Sequence, residues 1–199
     1  PHIKLDKNIR AEERINEAVF GADIVIVALP SHVVRPVAFD FKEAVGRNCV
    51  VVSVSKGLEV GSLQTMTNVL VEVLPGWLAN QIMALSGPTL AGELAAKKPA
   101  AALLASKKSD AYSRRAREAL TTDWLHVTET RDVLGVQLSA VAKNALAVMF
   151  GVIDGLGYGG NGRGWLLTEG FRDMSRLIWK IGGQEDTVYG LAGFGDMIA

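Results

Sequence analysis

A lysine inside an apolar helix needs an explanation, and Lys143 is such a lysine. It lies in Val133–Ile153, a run that is apolar at nearly every helical phase, and its neighbours one turn away are Ser139, Ala140, Leu146 and Ala147. An ammonium in these surroundings is either paired with an anion or shifted in pKa, and shifted lysines act as proton donors and acceptors. The pattern leaves both readings open. Lys56 directly follows the apolar run Cys49–Ser55 and precedes Gly57. At the carboxyl end of a strand in an open α/β sheet it would stand where ligands bind, although loop lysines at strand ends are also common. The segment Ser86–Glu93, SGPTLAGE, leaves another strand end. Gly87 and Pro88 make a tight turn, and the amides around Thr89 either open a helix toward an anionic group or are simply capped by Thr89.

Other motifs are silent. Gly190–Asp196, GLAGFGD, has no strand before it and the wrong spacing for a dinucleotide fingerprint, so it reads as a flexible link between helices. Gly155–Gly164 lacks the Gly-Lys-Ser/Thr ending of a Walker loop, and no G-x-S-x-G nucleophile motif occurs. His2, His32 and His126 are too far apart in sequence to suggest a metal site. Arg114, Arg115 and Arg117 read as a solvated helix face. Lys+Arg 21 against Asp+Glu 21 gives no net field to gather nucleic acid or anionic lipid. The lone Cys49, in an apolar run, and the absence of a leader-like start point to a reducing cytoplasm.

The elements that must position these residues follow from the hydrophobic pattern. Ala22–Leu29 and Cys49–Ser55 read as parallel strands covered on both faces, joined by a helix over Arg35–Arg47 that Pro36 begins. A helix over Leu63–Leu74, a strand Ile82–Leu85, a strand Ala100–Ala105, a helix Asp110–Leu120 and a strand Trp124–Thr128 continue the alternation, which predicts an α/β fold with a mostly parallel sheet. Beyond Thr130 the texture changes. A long buried helix Val133–Ile153, a Gly-rich link Gly155–Gly164 and a helix Trp165–Ile181 predict an all-helical second part, with domains at 1–127 and 128–199. A transmembrane span is the competing view of Val133–Ile153, against which Gln137, Lys143 and Asn144 weigh.

Six strings in order, ADIVIVALPSH (Ala22–His32), VSKGLE (Val54–Glu59), SGPTLAGELA (Ser86–Ala95), GVQLSAVAKNALAV (Gly135–Val148), DGLGYGGN (Asp154–Asn161) and GLAGFGD (Gly190–Asp196), resemble the bacterial-type NAD(P)-dependent glycerol-3-phosphate dehydrogenases. The resemblance implies a partial Rossmann-like domain followed by a helical one, and hydride transfer between NAD or NADP and glycerol 3-phosphate that feeds glycerophospholipid synthesis. It places the general acid/base on Lys143 and a lysine touching both substrate and cofactor on Lys56. Gly87, Thr89 and Asp196 fall on substrate-contacting positions and Ala91 on a cofactor-contacting one. A small phosphorylated substrate, a homo-oligomer, no nucleic acid and no stable membrane insertion are the partners so implied. The Gly-rich unit that opens the family has no counterpart from Pro1 onward, and the family's Arg-Asn pair would fall beyond Ala199. The chain alone is therefore expected to bind the dinucleotide weakly and to be inactive. Rival readings are a related hydroxy-acid dehydrogenase and a non-catalytic interaction module.

Overall fold

Runs of Val, Ile and Ala that cannot be left in water become the strands of one sheet in the computed structural model, which describes residues 6–199. His2 lies outside the described residues. The strands are β1 (Ile24–Val27), β2 (Val50–Ser53), β3 (Ile82–Ser86), β4 (Ala100–Ala105) and β5 (Leu125–Thr130), lying side by side in chain order. Helices α1 (Ile15–Val19), α2 (Val34–Phe41), α3 (Met66–Val73), α4 (Ala91–Ala95) and α5 (Ala111–Leu120) alternate with them. Three of the four strand pairs are parallel and β3–β4 is antiparallel, so the expected mostly parallel sheet is present in mixed form.

Period-two alternation divides the core. Val51 of β2 packs with Phe41, Leu70 and Leu78 on one face, while Val50 and Val52 pack with Leu104 and Ala116 on the other. All three valines are fully buried, each contributing roughly 1.5–3 kcal/mol. β1 departs from expectation: it forms an edge of the described sheet, and Ile26 is half exposed rather than covered on both sides. The helix between β1 and β2 also shifts. It runs Val34–Phe41, and Pro36 sits inside its first turn, where the missing N–H has no helical partner to lose.

After β5 come α6 (Val133–Gly155), α7 (Gly159–Ile181) and α8 (Glu185–Tyr189), a π-helical turn Leu191–Gly195, and α9 (Asp196–Ile198). No strand follows β5, as the change of texture predicts. Two expectations fail here. The Gly-rich stretch is not a link, because α7 begins at Gly159 and takes in most of it. Farther along the same helix Gly170 shows what a bare position allows: a Cβ there would lie 2.5 Å from Leu146 Cδ2, so its absence lets α7 close on α6. α6 is also not buried throughout. Val136, Ser139 and Ala140 are covered, whereas Val148, Met149 and Val152 are exposed. Among the described residues α6 alone is long and apolar enough to cross a bilayer, with mean hydropathy 1.6.

Candidate active site

The loop that carries Lys56 is built by hydrogen bonds at the carboxyl ends of β1 and β2. Ser55 Oγ donates to the Val27 carbonyl (3.2 Å) and accepts from Leu29 N–H (3.0 Å), tying the two strand ends together. Gly57 follows with φ +131°, and a Cβ there would fall 2.8 Å from Ser31 Oγ, so only glycine permits this approach of the loop to the β1–α2 connection. The Arg35 guanidinium then clamps the next turn. It reaches Glu59 at 2.6 and 2.9 Å through both carboxylate oxygens, and Glu72 of α3 at 2.6 Å. These bonds, helped by the Ser62 hydroxyl, pull the Glu59 carboxyl down to about 2 and push the guanidinium upward.

Lys143 is placed by α6, whose own position rests on two buried side chains. Asp132 caps the helix. Its Oδ1 accepts from Gly135 N–H (2.8 Å), and its Oδ2 accepts from Gln184 N–H (2.8 Å) in the link after α7. Gln137 joins α6 to the first turn of α3: its Oε1 accepts from Thr67 N–H (3.0 Å), and its Nε2 donates to Thr67 Oγ1 (2.8 Å) and to the Val133 carbonyl (3.1 Å).

The third component comes from the far end of the chain. GLAGFGD, expected as a flexible link, is the π-helical turn, with Gly195 N–H donating to the Gly190 carbonyl at 3.0 Å. Gly193 is required by contact: a Cβ there would sit 2.0 Å from the Val188 carbonyl oxygen. Such turns occur often at functional sites. This one delivers Asp196, 6% exposed, between the two lysines. Asp196 Oδ1 is 2.8 Å from Lys143 Nζ, and Oδ2 is 2.6 Å from Lys56 Nζ. The Asp196 carbonyl also accepts from Lys143 at 2.9 Å.

Of the two readings of Lys143, pairing is the one the structure displays. The three charges leave a net positive centre at the carboxyl end of β2, suited to an anionic ligand. Each ammonium has three N–H groups. Lys143 donates one of them to the Asp196 carbonyl and is ion-paired with Oδ1, and Lys56 donates one to Oδ2, so donors remain at both lysines for a ligand.

The SGPT turn lies beside this centre. Gly87 has φ +152°, and a Cβ there would be 2.8 Å from the Ala101 carbonyl oxygen on β4, while Pro88 adjoins Gly195. Thr89 is half-buried and its hydroxyl donates to the Gly87 carbonyl at 3.2 Å; it caps no helix, since α4 begins two residues later with no side-chain cap. Ala91 is exposed at the start of α4. No hydrogen bond joins Thr89 or Ala91 to the lysines among the described residues. Among the described residues no three His, Cys, Asp or Glu side chains gather as metal ligands, and burial pushes the Cys49 thiol upward. Residue pattern does not single out Asp132, Gln137, Arg35 or Glu59 as site residues. A polar residue within an apolar run is the available signal for Gln137.

Comparison with known proteins finds similarity over the whole chain. The family described as NAD-dependent glycerol-3-phosphate dehydrogenase, N-terminus, matches residues 1–112, and its C-terminal counterpart matches residues 132–199. Glycerol-3-phosphate dehydrogenase [NAD(P)+] of Citrifermentans bemidjiense is 39% identical over 198 residues, covering 100% of this chain and 59% of the relative, and that of Myxococcus xanthus is 36% identical over 196 residues, covering 98% and 58%. The chain thus spans about six-tenths of the length of these curated relatives. The crystal structure of glycerol-3-phosphate dehydrogenase from Coxiella burnetii superposes on all of the chain and 59% of its own length with TM-score 0.89 at 31% identity. A ketopantoate reductase from Ralstonia eutropha shares the fold alone, with TM-score 0.50 and 15% identity over 66% of this chain and 41% of its own. With two family matches that together cover most of its residues, this chain belongs to the NAD-dependent glycerol-3-phosphate dehydrogenase family.

Proposed function

We propose that the chain forms the substrate-facing part of an oxidoreductase that transfers a hydride between C2 of glycerol 3-phosphate and NAD or NADP, giving dihydroxyacetone phosphate. The observation that carries this reading is the Lys56–Asp196–Lys143 cluster, which joins the sheet to the helical part at a strand carboxyl end. Lys143 is the proton donor and acceptor. In oxidation it takes the proton of the C2 hydroxyl as the hydride departs, and in reduction its ammonium protonates the developing alkoxide. Asp196 aims it by accepting one N–H at its backbone carbonyl and pairing with the ammonium through Oδ1, which leaves N–H donors for the substrate oxygen. Lys56, with two N–H groups not directed at Asp196, adds positive charge beside the substrate's polar groups. Gly87 and Thr89 contribute the substrate side of the neighbouring turn.

A nicotinamide, when bound, supplies the carbon that accepts or gives the hydride. The residues present fit its reacting end: the parallel strand ends of β1 to β3, with Lys56 and Ala91 beside them. Among the described residues no G-x-G-x-x-G turn follows a strand to hold the pyrophosphate. Gly155, Gly157 and Gly160 have the G-x-G-x-x-G spacing, but they follow a helix rather than a strand. The same reading covers a two-domain division at 1–127 and 128–199, for which the change from strands to helices after β5 speaks, with β5 itself carrying the first part on to Thr130. It also covers a homo-oligomer without stable membrane insertion, and a cytoplasmic home, supported by the buried free Cys49.

The test is Lys143→Ala in the full-length product of the gene, with glycerol 3-phosphate and NAD(P) as substrates. kcat should fall about 10²–10⁴-fold, roughly 3–5 kcal/mol of transition-state stabilisation, with a smaller change in KM. Circular dichroism should show the fold retained, because Asp196 keeps Lys56 as a partner. Near wild-type turnover would refute the assignment.

A further inference from the structure

Lys56 and Lys143 sit on different elements, a loop and a helix, and the site requires their separation to be held to a fraction of an ångström. Asp196 touches both, but it comes from a third segment and cannot by itself fix the loop to the helix. We propose that Gln137, through Thr67, is a positioning residue that sets the distance between the two lysines. This inference rests on the function proposed above.

The geometry is specific. Gln137 lies on α6 six residues before Lys143 and is 8% exposed. Its amide donates to the Thr67 hydroxyl and accepts from the Thr67 amide, so both polar groups of one residue are read by one side chain. Thr67 is the second residue of α3, and its N–H is one of the four that an α-helix leaves without a partner. Thr65, the residue before α3, makes no side-chain cap, so Gln137 supplies that cap from the other domain. The loop entering α3 is the one that leaves Lys56: Leu58 bridges Thr65, and Glu59 N–H donates to the Gln64 carbonyl at 2.9 Å. One amide thus links the helix of Lys143 to the end of the loop of Lys56. Nothing else about Gln137 accounts for a polar group in this apolar stretch, because its third bond, to Val133, stays within its own helix.

The test uses the full-length product of the gene. Gln137→Leu keeps the bulk and removes the tie. Gln137→Glu keeps it, since a carboxylate accepts from both the Thr67 N–H and the Thr67 hydroxyl, which can rotate. Measured well below the unfolding temperature of each variant, Gln137→Leu should lose about 10- to 100-fold in kcat/KM for glycerol 3-phosphate while Gln137→Glu retains most of it. If Gln137→Leu does not fold, Thr67→Val, which removes one hydroxyl and keeps the shape, should show a smaller loss of several-fold, with Thr67→Ser restoring it. A folded Gln137→Leu or Thr67→Val protein with wild-type kcat and KM would overturn the proposal. A second readout separates this inference from the functional reading. Amine-selective labelling with acetic anhydride should rise at Lys56 and Lys143 in Gln137→Leu, or in Thr67→Val where the former is unfolded, relative to wild type. Wild type inactive on glycerol 3-phosphate would sink the function, and unchanged labelling would sink the positioning role.

Discussion

The two lysines of the site are held by different physics. Lys56 stands on a loop, 36% exposed in its side chain, and the turn beyond it is fixed by the charged Arg35–Glu59–Glu72 cluster, whose Arg35 and Glu72 are open to solvent. Lys143 stands on a helix, 17% exposed, and its position rests on a buried amide at Gln137 and a buried cap at Asp132. Charged clamps at a surface are weakened by salt and titrate with pH, whereas a neutral buried amide does neither. The difference suits two roles. A proton donor must keep one geometry through the reaction, while a substrate-binding lysine tolerates a softer mount.

The largest effect is expected where the two mounts meet. Asp196→Asn removes the charge that holds both ammonium groups and turns one acceptor into a donor facing a lysine. In the full-length protein kcat/KM should fall at least about 10²-fold, and steady-state kinetics with glycerol 3-phosphate would show it. Lys56→Ala should act mainly on KM instead. If Asp196→Asn and Lys56→Ala have the same profile, Asp196 serves Lys56 alone and the comparison fails.

Much of this arrangement is legible in the residue types and their order. Lys143 stands out because an ammonium surrounded by Ser139, Ala140 and Leu146 must either find an anion or shift its pKa, and Lys56 because strand ends gather ligands. The partner is not legible from pattern: Asp196 is 53 residues from Lys143, and only family resemblance joins them. Nor is the direction of β4, since Ala100–Ala105 is largely buried whichever way it runs. Glycine misleads twice. Gly190–Gly195 reads as a turn former, yet the π-helical turn uses Gly193 for the absence of a Cβ against Val188, and Gly159–Gly164 is taken into α7, where Gly162 lies against Tyr158 while Gly159, Gly160 and Gly164 have open space beside them. Backbone propensity counts about 1 kcal/mol against a helical glycine, and packing outweighs that.

A second contrast lies within α6 itself. By sequence it is evenly apolar, but only the half carrying Lys143 is covered in the described structure. In the 199-residue chain Val136→Ala, at a fully buried position, should lower stability by about 2 kcal/mol. Val152→Ala, at a position 55% exposed, should stay within about 0.5 kcal/mol. Urea unfolding of both variants checks this. A loss at Val152 equal to that at Val136 would mean that the second half of the helix is buried against another copy or another part of the protein.

The smallest effect concerns the softer mount and depends on pH. Glu59 carries a carboxyl held at about 2 against an ordinary value of 4.5, chiefly by the Arg35 hydrogen bonds. A group whose folded-state pKa is depressed contributes its stability fully above the unfolded pKa and loses it as pH falls through the folded one. The contribution of Glu59 is therefore complete above about pH 4.5 and disappears toward pH 2. Glu59→Gln lacks it at every pH. The stability difference between wild type and Glu59→Gln, taken from urea midpoints, should be constant above about pH 5 and shrink steadily below it. Gln137→Glu adds the opposite control, because it puts a titratable carboxyl into the otherwise neutral Gln137–Thr67 tie and should give that tie an acid dependence that wild type lacks. A wild-type minus Glu59→Gln difference that stays flat down to pH 2 would show that the Arg35 clamp holds the Lys56 loop by shape rather than by charge, and the contrast between the two mounts would then disappear.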